Sequence, residues 1–177
     1  MYRVYPHKRY NMTEAFMAKH LPVPCNILDL GVDNPLSQRL RALGYEVQNT
    51  SGQDLDLNPA EAHQTGFDAV TGFEILEHLI NPMGVLREIK SNKLMVSIPL
   101  RLWFSAAYRS KTDPWDRHYH EFEDWQFDWL LEKSGWTIVD RLYGTHPVKK
   151  IGIRPLLMLF TPRYYWVYAV RNTELNS

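Results

Sequence analysis

Apolar residues fall into two alternating kinds of run along the chain. Short, nearly unbroken blocks rich in β-branched and aromatic residues are bounded by Gly, Pro, Asn or Asp. These are CNILDL (25–30), YEVQNT (45–50), FDAVTGF (67–73), KLMVSI (93–98), WTIVDRL (136–142) and YYWVYAV (164–170), and each reads as a strand. Between them, apolar residues recur at helical spacing. Asn34 and Pro35 form a helix start, with Asn as N-cap and Pro at the first helical position, ahead of Leu36 and Leu40; Gly44 ends the segment. Asn81-Pro82 repeats the device ahead of Met83, Leu86 and Ile89. Residues 123–134 read as a third helix closed by Gly135, with Trp125, Phe127 and Trp129 assigned to the core. TEAFMAKH (13–20) predicts a helix capped by Thr13 within a lead-in segment, 1–24. Strands alternating with helices predict an α/β domain, with helices on both faces of a mostly parallel sheet and one domain over 1–177.

Three segments interrupt the alternation. The polar stretch SGQDLDLNPAEAHQTG (51–66) barely accommodates a helix and a strand. Residues 100–122 form a long loop rich in aromatic residues and containing His118 and His120; a loop of this length in a compact domain suggests a lid over an acceptor. A basic, proline-containing insertion (143–163) precedes the last strand and has room for one short helix.

Composition narrows the function. A chain of 177 residues with 45% hydrophobic content can bury a single core, and zero net charge argues against a dedicated nucleic-acid binder. Cys25 is the lone cysteine, so no intrachain disulfide forms, which suits a reducing compartment. MYRVYPHKRYNM lacks a signal-peptide core, and the longest apolar run, LLMLF (156–160), falls short of the roughly 20 residues that span a bilayer. A cytoplasmic protein is expected, and the aromatic final strand allows a homodimer.

The chemistry-bearing stretches are ILDLGVDNP (27–35) and FDAVTGFEILEHLINP (67–82). The first is a strand ending in an acid, then Gly31 in a sharp turn, with Asp33 and Pro35 where a dinucleotide loop carries further glycines. The order ILDLG, GYEV, FDAVTGFEILEHLINP, LREI, LMVSIPL and HEF resembles class I S-adenosylmethionine-dependent methyltransferases. It is closest to small members with an FDxVxxxExxEHL segment, and the resemblance covers about residues 25–142. It implies a Rossmann-like, doubly wound, seven-stranded sheet of order 3-2-1-4-5-7-6 with the last strand antiparallel. The third strand is reduced or missing, because 51–66 is short. It implies cofactor at the C-terminal edge of the first strands, with Asp29, Gly31 and Asp33 at the methionine end. Ser51 stands where the family places a ribose-binding acid, which predicts weak cofactor affinity unless Asp54 substitutes. Asp54 and Leu55 face the adenine, and Phe73 and Glu74 floor the site near the methyl.

Glu74, Glu77 and His78 stand at i, i+3 and i+4 and share one face if the segment is helical. ExxEH followed by HxHxF (His118, His120, Phe122) resembles metal-dependent RNA 3′-terminal 2′-O-methyltransferases. That implies a divalent cation, Mg or Mn, on Glu74, Glu77, His78 and His120. Read without metal, Glu77 and His78 tie down the following loop. His118 or His120 is a candidate base for a hydroxyl acceptor, since histidine titrates near neutrality. Arg101, Arg109, Lys111 and Arg117, with Lys149, Lys150, Arg154 and Arg163, offer a basic rim diluted by Asp113 and Asp116. The reading is methyl transfer, to oxygen, on a small-molecule or sugar-linked acceptor. The alternatives are the RNA-terminal enzyme and a degenerate binding module.

Overall fold

The computed structural model describes residues 7–145 and 151–171. Lys149 and Lys150 of the expected basic rim lie outside the described residues. The elements are α1 (His7–His20), β1 (Asn26–Asp29), α2 (Pro35–Ala42), β2 (Glu46–Asn49), a 3₁₀ turn (Pro59–His63), β3 (Ala69–Phe73), a second 3₁₀ turn (Leu76–His78), α3 (Pro82–Glu88), β4 (Lys93–Pro99), α4 (Asp124–Lys133), β5 (Thr137–Thr145), α5 (Ile153–Phe160) and β6 (Pro162–Val170).

The strands form a six-stranded sheet of order β2-β1-β3-β4-β6-β5. β2, β1, β3 and β4 are parallel, whereas β6 runs antiparallel to both β4 and β5. Six strands replace the seven expected, and the missing one would have lain outside β2. The chain between Thr50 and Ala69 has too few residues to cross the sheet as a helix and return as a strand. It makes the Pro59–His63 turn instead, anchored by the buried Ala62.

Both faces of the sheet are covered. One core gathers Leu28, Val70, Val96, Phe127 and Trp136 beneath α3 and α4. The other gathers Phe16, Met17, Ile27, Leu40, Met95 and Trp166 beneath α1 and α2. Alternate β1 residues feed opposite cores, as the pleat requires. The Asn-Pro starts behave as predicted: Asn34 accepts from Leu36 N and Ser37 N, and Asn81 accepts from Gly84 N.

Two local expectations need correction. Thr13 is no N-cap. The helix begins at His7, because HKRYNM contains no breaker, and Thr13 lies buried mid-helix, donating to Arg9 O (3.0 Å) and accepting from Trp166 Nε1 (2.9 Å). Trp125 and Trp129 are not core: they stand 45% and 64% exposed and pack edge-on against each other, while Phe127 and Leu131 form the buried face of α4. Positions two apart on a helix point about 200° apart, so the two pairs cannot share a face. No helix among the described residues is long and apolar enough to cross a membrane.

Candidate active site

The site is built at the C-terminal ends of β1 and β3. β1 delivers Asp29, whose buried carboxylate accepts from Thr71 Oγ1 (2.7 Å), Ser37 Oγ (2.9 Å) and Asn49 Nδ2 (3.1 Å). Burial pushes this carboxyl up to about 6 despite the three donors. Gly31 turns the chain with φ +103°, and a Cβ there would sit 3.2 Å from Ile75 Cδ1. Its N–H donates to Thr50 Oγ1 at 2.8 Å, tying the loop to the end of β2. The result is a cavity of about 220 Å³, with Arg9, Asp29, Gly31, Pro35, Phe73 and Glu74 among its walls.

Asp33 reaches this cavity, but its carboxylate is held by Arg41 Nη1 (2.5 Å) and Gln38 Nε2 (2.9 Å). That carboxylate is thus already paired, whereas Asp29 has no cationic partner among the described residues.

The rim beyond β2 departs further from expectation. Ser51 is exposed, and its N–H donates to Glu61 Oε2 at 2.8 Å. Glu61, on the Pro59–His63 turn, therefore places a carboxylate at the end of β2, where the sequence shows no acid. No motif marks it, because the contact spans ten residues of irregular chain. Asp54 folds back on Asp56 N (2.9 Å) beside the buried Leu55. Asp56 in turn accepts from Ile80 N and Asn81 N, both at 2.7 Å, locking the rim to the start of α3.

Glu74 is a non-glycine residue in the left-handed region, at φ 59°. That conformation turns its carboxylate into the cavity wall, where it accepts from Arg9 Nη1 (2.8 Å) and Ser97 Oγ (3.0 Å). Arg9 lies over the rings of Tyr10 and Tyr164, 5.9 and 5.3 Å from their centroids.

No family model matches the sequence, and no curated protein matches it. The architecture does have solved counterparts. An S-adenosylmethionine-dependent methyltransferase from Methanosarcina mazei superposes with a TM-score of 0.61 at 14% identity, covering 90% of this chain and 98% of that one. The fold is that of the S-adenosylmethionine-dependent methyltransferases. A second such enzyme, from Archaeoglobus fulgidus, gives 0.54 at 12% identity, covering 92% and 94%. A magnesium protoporphyrin IX methyltransferase from Synechocystis, solved with S-adenosylhomocysteine bound, gives 0.55 at 14% identity, covering 93% and 82%.

The second cluster of the methyltransferase fold lies on the far side of the Glu74 turn. Glu77 is 1% exposed, and its Oε2 has no hydrogen-bond partner among the described residues. Burial raises its carboxyl well above the usual range. His78 Nδ1 faces Arg117 O at 3.0 Å; a carbonyl only accepts, so Nδ1 carries a proton, and Nε2 lies 3.6 Å from Glu77 Oε1. The His118 ring stands edge-on to His78 at 4.7 Å. One ligand atom from each of Glu77, His78 and His118 lies within 4.8 Å of the others. Burial, then the neighbouring His78, holds the His118 imidazole down to about 4.

The expected set of Glu74, Glu77, His78 and His120 is thus not brought together. The segment is not helical through Glu74, so the i, i+3 relation fails there. His120 Nε2 instead faces Ile80 O at 3.2 Å, and its ring stacks on Phe122. Neither His118 nor His120 lines the cavity. Both belong to the long loop, which is anchored through Tyr119 N and His120 N, each donating to Glu77 O at 2.9 and 3.2 Å.

Proposed function

We propose that the chain transfers a methyl group from S-adenosylmethionine to an oxygen of a small-molecule or sugar-linked acceptor. Asp29 carries this reading. It is a desolvated carboxylate at the cavity wall, held only by neutral donors, and an ammonium is the charge it lacks. The residues present fit the cofactor. Asp29 and the Gly31 turn line the cavity and suit its methionine end. Ser51, Glu61, Asp54 and Leu55 stand outside that lining, beyond β2, where Glu61 beside Ser51 suits the ribose hydroxyls and Asp54 the adenine, while Leu55 is buried in the core. Bound there, the cofactor supplies a methyl already activated on a sulfonium. The chain's task is to align an acceptor, and Phe73 and Glu74 form the wall on that side. Arg9 holds the Glu74 carboxylate in place.

Calorimetric titration of S-adenosylmethionine and S-adenosylhomocysteine tests the reading. Micromolar binding is the expected result. Folded protein that binds neither at millimolar ligand would leave the binding-module alternative in its place. In the same assay Glu61→Gln is expected to weaken S-adenosylhomocysteine about tenfold, the scale of one hydrogen bond to a charged group. An unchanged affinity would remove Glu61 from the ribose.

A divalent cation belongs to the same proposal, on Glu77, His78 and His118. The unpartnered Glu77 Oε2 supports it, since a buried carboxylate oxygen without a donor is costly unless something cationic meets it. Two imidazoles and one carboxylate suit Mn or Zn better than Mg, which prefers an all-oxygen shell. Adding Mn or Zn is expected to raise the thermal midpoint. His118→Ala abolishes that rise and His120→Ala leaves it intact. An equal rise in both variants would sink the assignment.

A further inference from the structure

α5, of sequence IRPLLMLF, buries none of its residues. Ile153 is 81% exposed, Leu156 56% and Phe160 79%. At positions i, i+3 and i+7 they project from one side of the helix. Ile151 stands fully in solvent just before them. Arg154 Nη2 donates to Ser105 Oγ at 3.3 Å, which sets α5 beside the 102–105 turn, where Trp103 is 71% exposed. The exposed aliphatic stripe of α5 and the nearby exposed indole are apolar groups left facing water, of a kind that marks an interaction site.

Charge identifies the occupant. From Arg141 to Thr173 the sequence contains no Asp or Glu, while Lys149, Lys150 and Arg154 flank or sit on the apolar helix. Lys8 also reaches the end of β5, with Nζ 3.4 Å from Thr145 O. A second copy docked through the same helix would set two segments with basic residues and no acidic residue in their sequence against each other. An apolar helix with basic flanks and a neighbouring tryptophan instead matches the interface of an anionic bilayer, where side chains enter the acyl boundary and cations meet headgroups. Eight residues are too few to span, so the helix lies in the plane.

We propose that α5, with Trp103, seats this protein on membrane surfaces containing anionic lipid. Such seating is independent of methyl transfer and is measured without cofactor. The full chain is sedimented with vesicles of equal parts phosphatidylglycerol and phosphatidylcholine, and with vesicles of phosphatidylcholine alone. Binding to the anionic vesicles is expected, falling as salt is raised, with little binding to the neutral ones. The double variant Leu156→Glu/Phe160→Glu is expected to lose at least about tenfold in partitioning, since it swaps inserted apolar groups for charges repelled by the headgroups. Its thermal midpoint should stay unchanged, as neither side chain is buried. Trp103→Ala should lose a smaller factor. Absence of vesicle binding, or equal binding by wild type and the double variant, would overturn the proposal. So would a dimer in sedimentation equilibrium that the double variant dissolves while no vesicles are bound.

Discussion

Asp29→Asn is expected to weaken S-adenosylmethionine binding by at least about a hundredfold while making the unliganded protein more stable at neutral pH. The two effects share one cause. In the folded chain the Asp29 carboxyl is raised from 3.8 to about 6. The protonated form is therefore the one the fold prefers. Its contribution to stability is fully present below about pH 4 and is lost as pH rises through about 6. At pH 7 the ionised group sits buried without a cation, at a cost on the order of 3 kcal/mol. An ammonium at the cavity wall removes that cost, so cofactor affinity should fall about tenfold per pH unit below 6, where binding must first displace a proton. Asparagine keeps the shape but carries no charge, and the Thr71 and Ser37 hydroxyls can rotate to meet it. Titrations and urea melts of both proteins at pH 5 and pH 7 provide the check. Affinity that does not vary with pH, or a variant that binds like wild type, would remove Asp29 from the cofactor site.

Trp166→Ala is expected to cost about 3–5 kcal/mol, the range for truncating a fully buried aromatic side chain. Trp166 lies in β6, between β4 and β5, and has no exposed surface. Its indole N–H donates to Thr13 Oγ1, joining the sheet to α1. A Cβ on Gly144 would lie 2.7 Å from Trp166 Cζ3, so β5 has a glycine where the ring presses against it. Alanine leaves a void between β6 and α1. Because α1 also carries Arg9, its loosening should disturb the Glu74 wall and weaken cofactor binding as well. Trp129→Ala, at an exposed position on α4, should change stability by less than about 0.5 kcal/mol. Urea denaturation of the two variants separates the cases, and a Trp166→Ala loss below about 1 kcal/mol would contradict this view of the core.

The sequence made the six strands legible because each is an apolar block between turn residues, and the Asn-Pro pairs marked two helix starts. It also pointed to Asp29, Gly31 and Glu74, since each stands at a strand end in a local motif. What it hid depends on contacts across the fold. Glu61 arrives beside Ser51 through a 3₁₀ turn that no periodicity announces. The i, i+3, i+4 spacing predicts a helical turn starting at Glu74, yet its backbone is left-handed, which sequence rarely signals for glutamate. That single dihedral sends Glu74 to Arg9 and leaves Glu77 and His78 on the other side. The exchange of His118 for His120 has a similar origin. The two lie two residues apart in an extended loop, and which of them turns toward His78 is settled by the bonds of Tyr119 N and His120 N to Glu77 O.

The placement of β6 also bears on how the chain is made. β6 follows every other strand in sequence, yet it stands between β4 and β5. During synthesis, β2, β1, β3 and β4 can pair as they emerge, but β5 has no neighbour in the sheet until Val170 has left the ribosome. Until then β4 presents an open edge, and the contacts of Tyr165 and Trp166 do not exist. A nascent chain paused after β5 carries an unpaired strand and an uncovered sheet edge, the state most prone to non-native pairing and most in need of a chaperone. Completion of the sheet is therefore a late step governed by the arrival of a single strand.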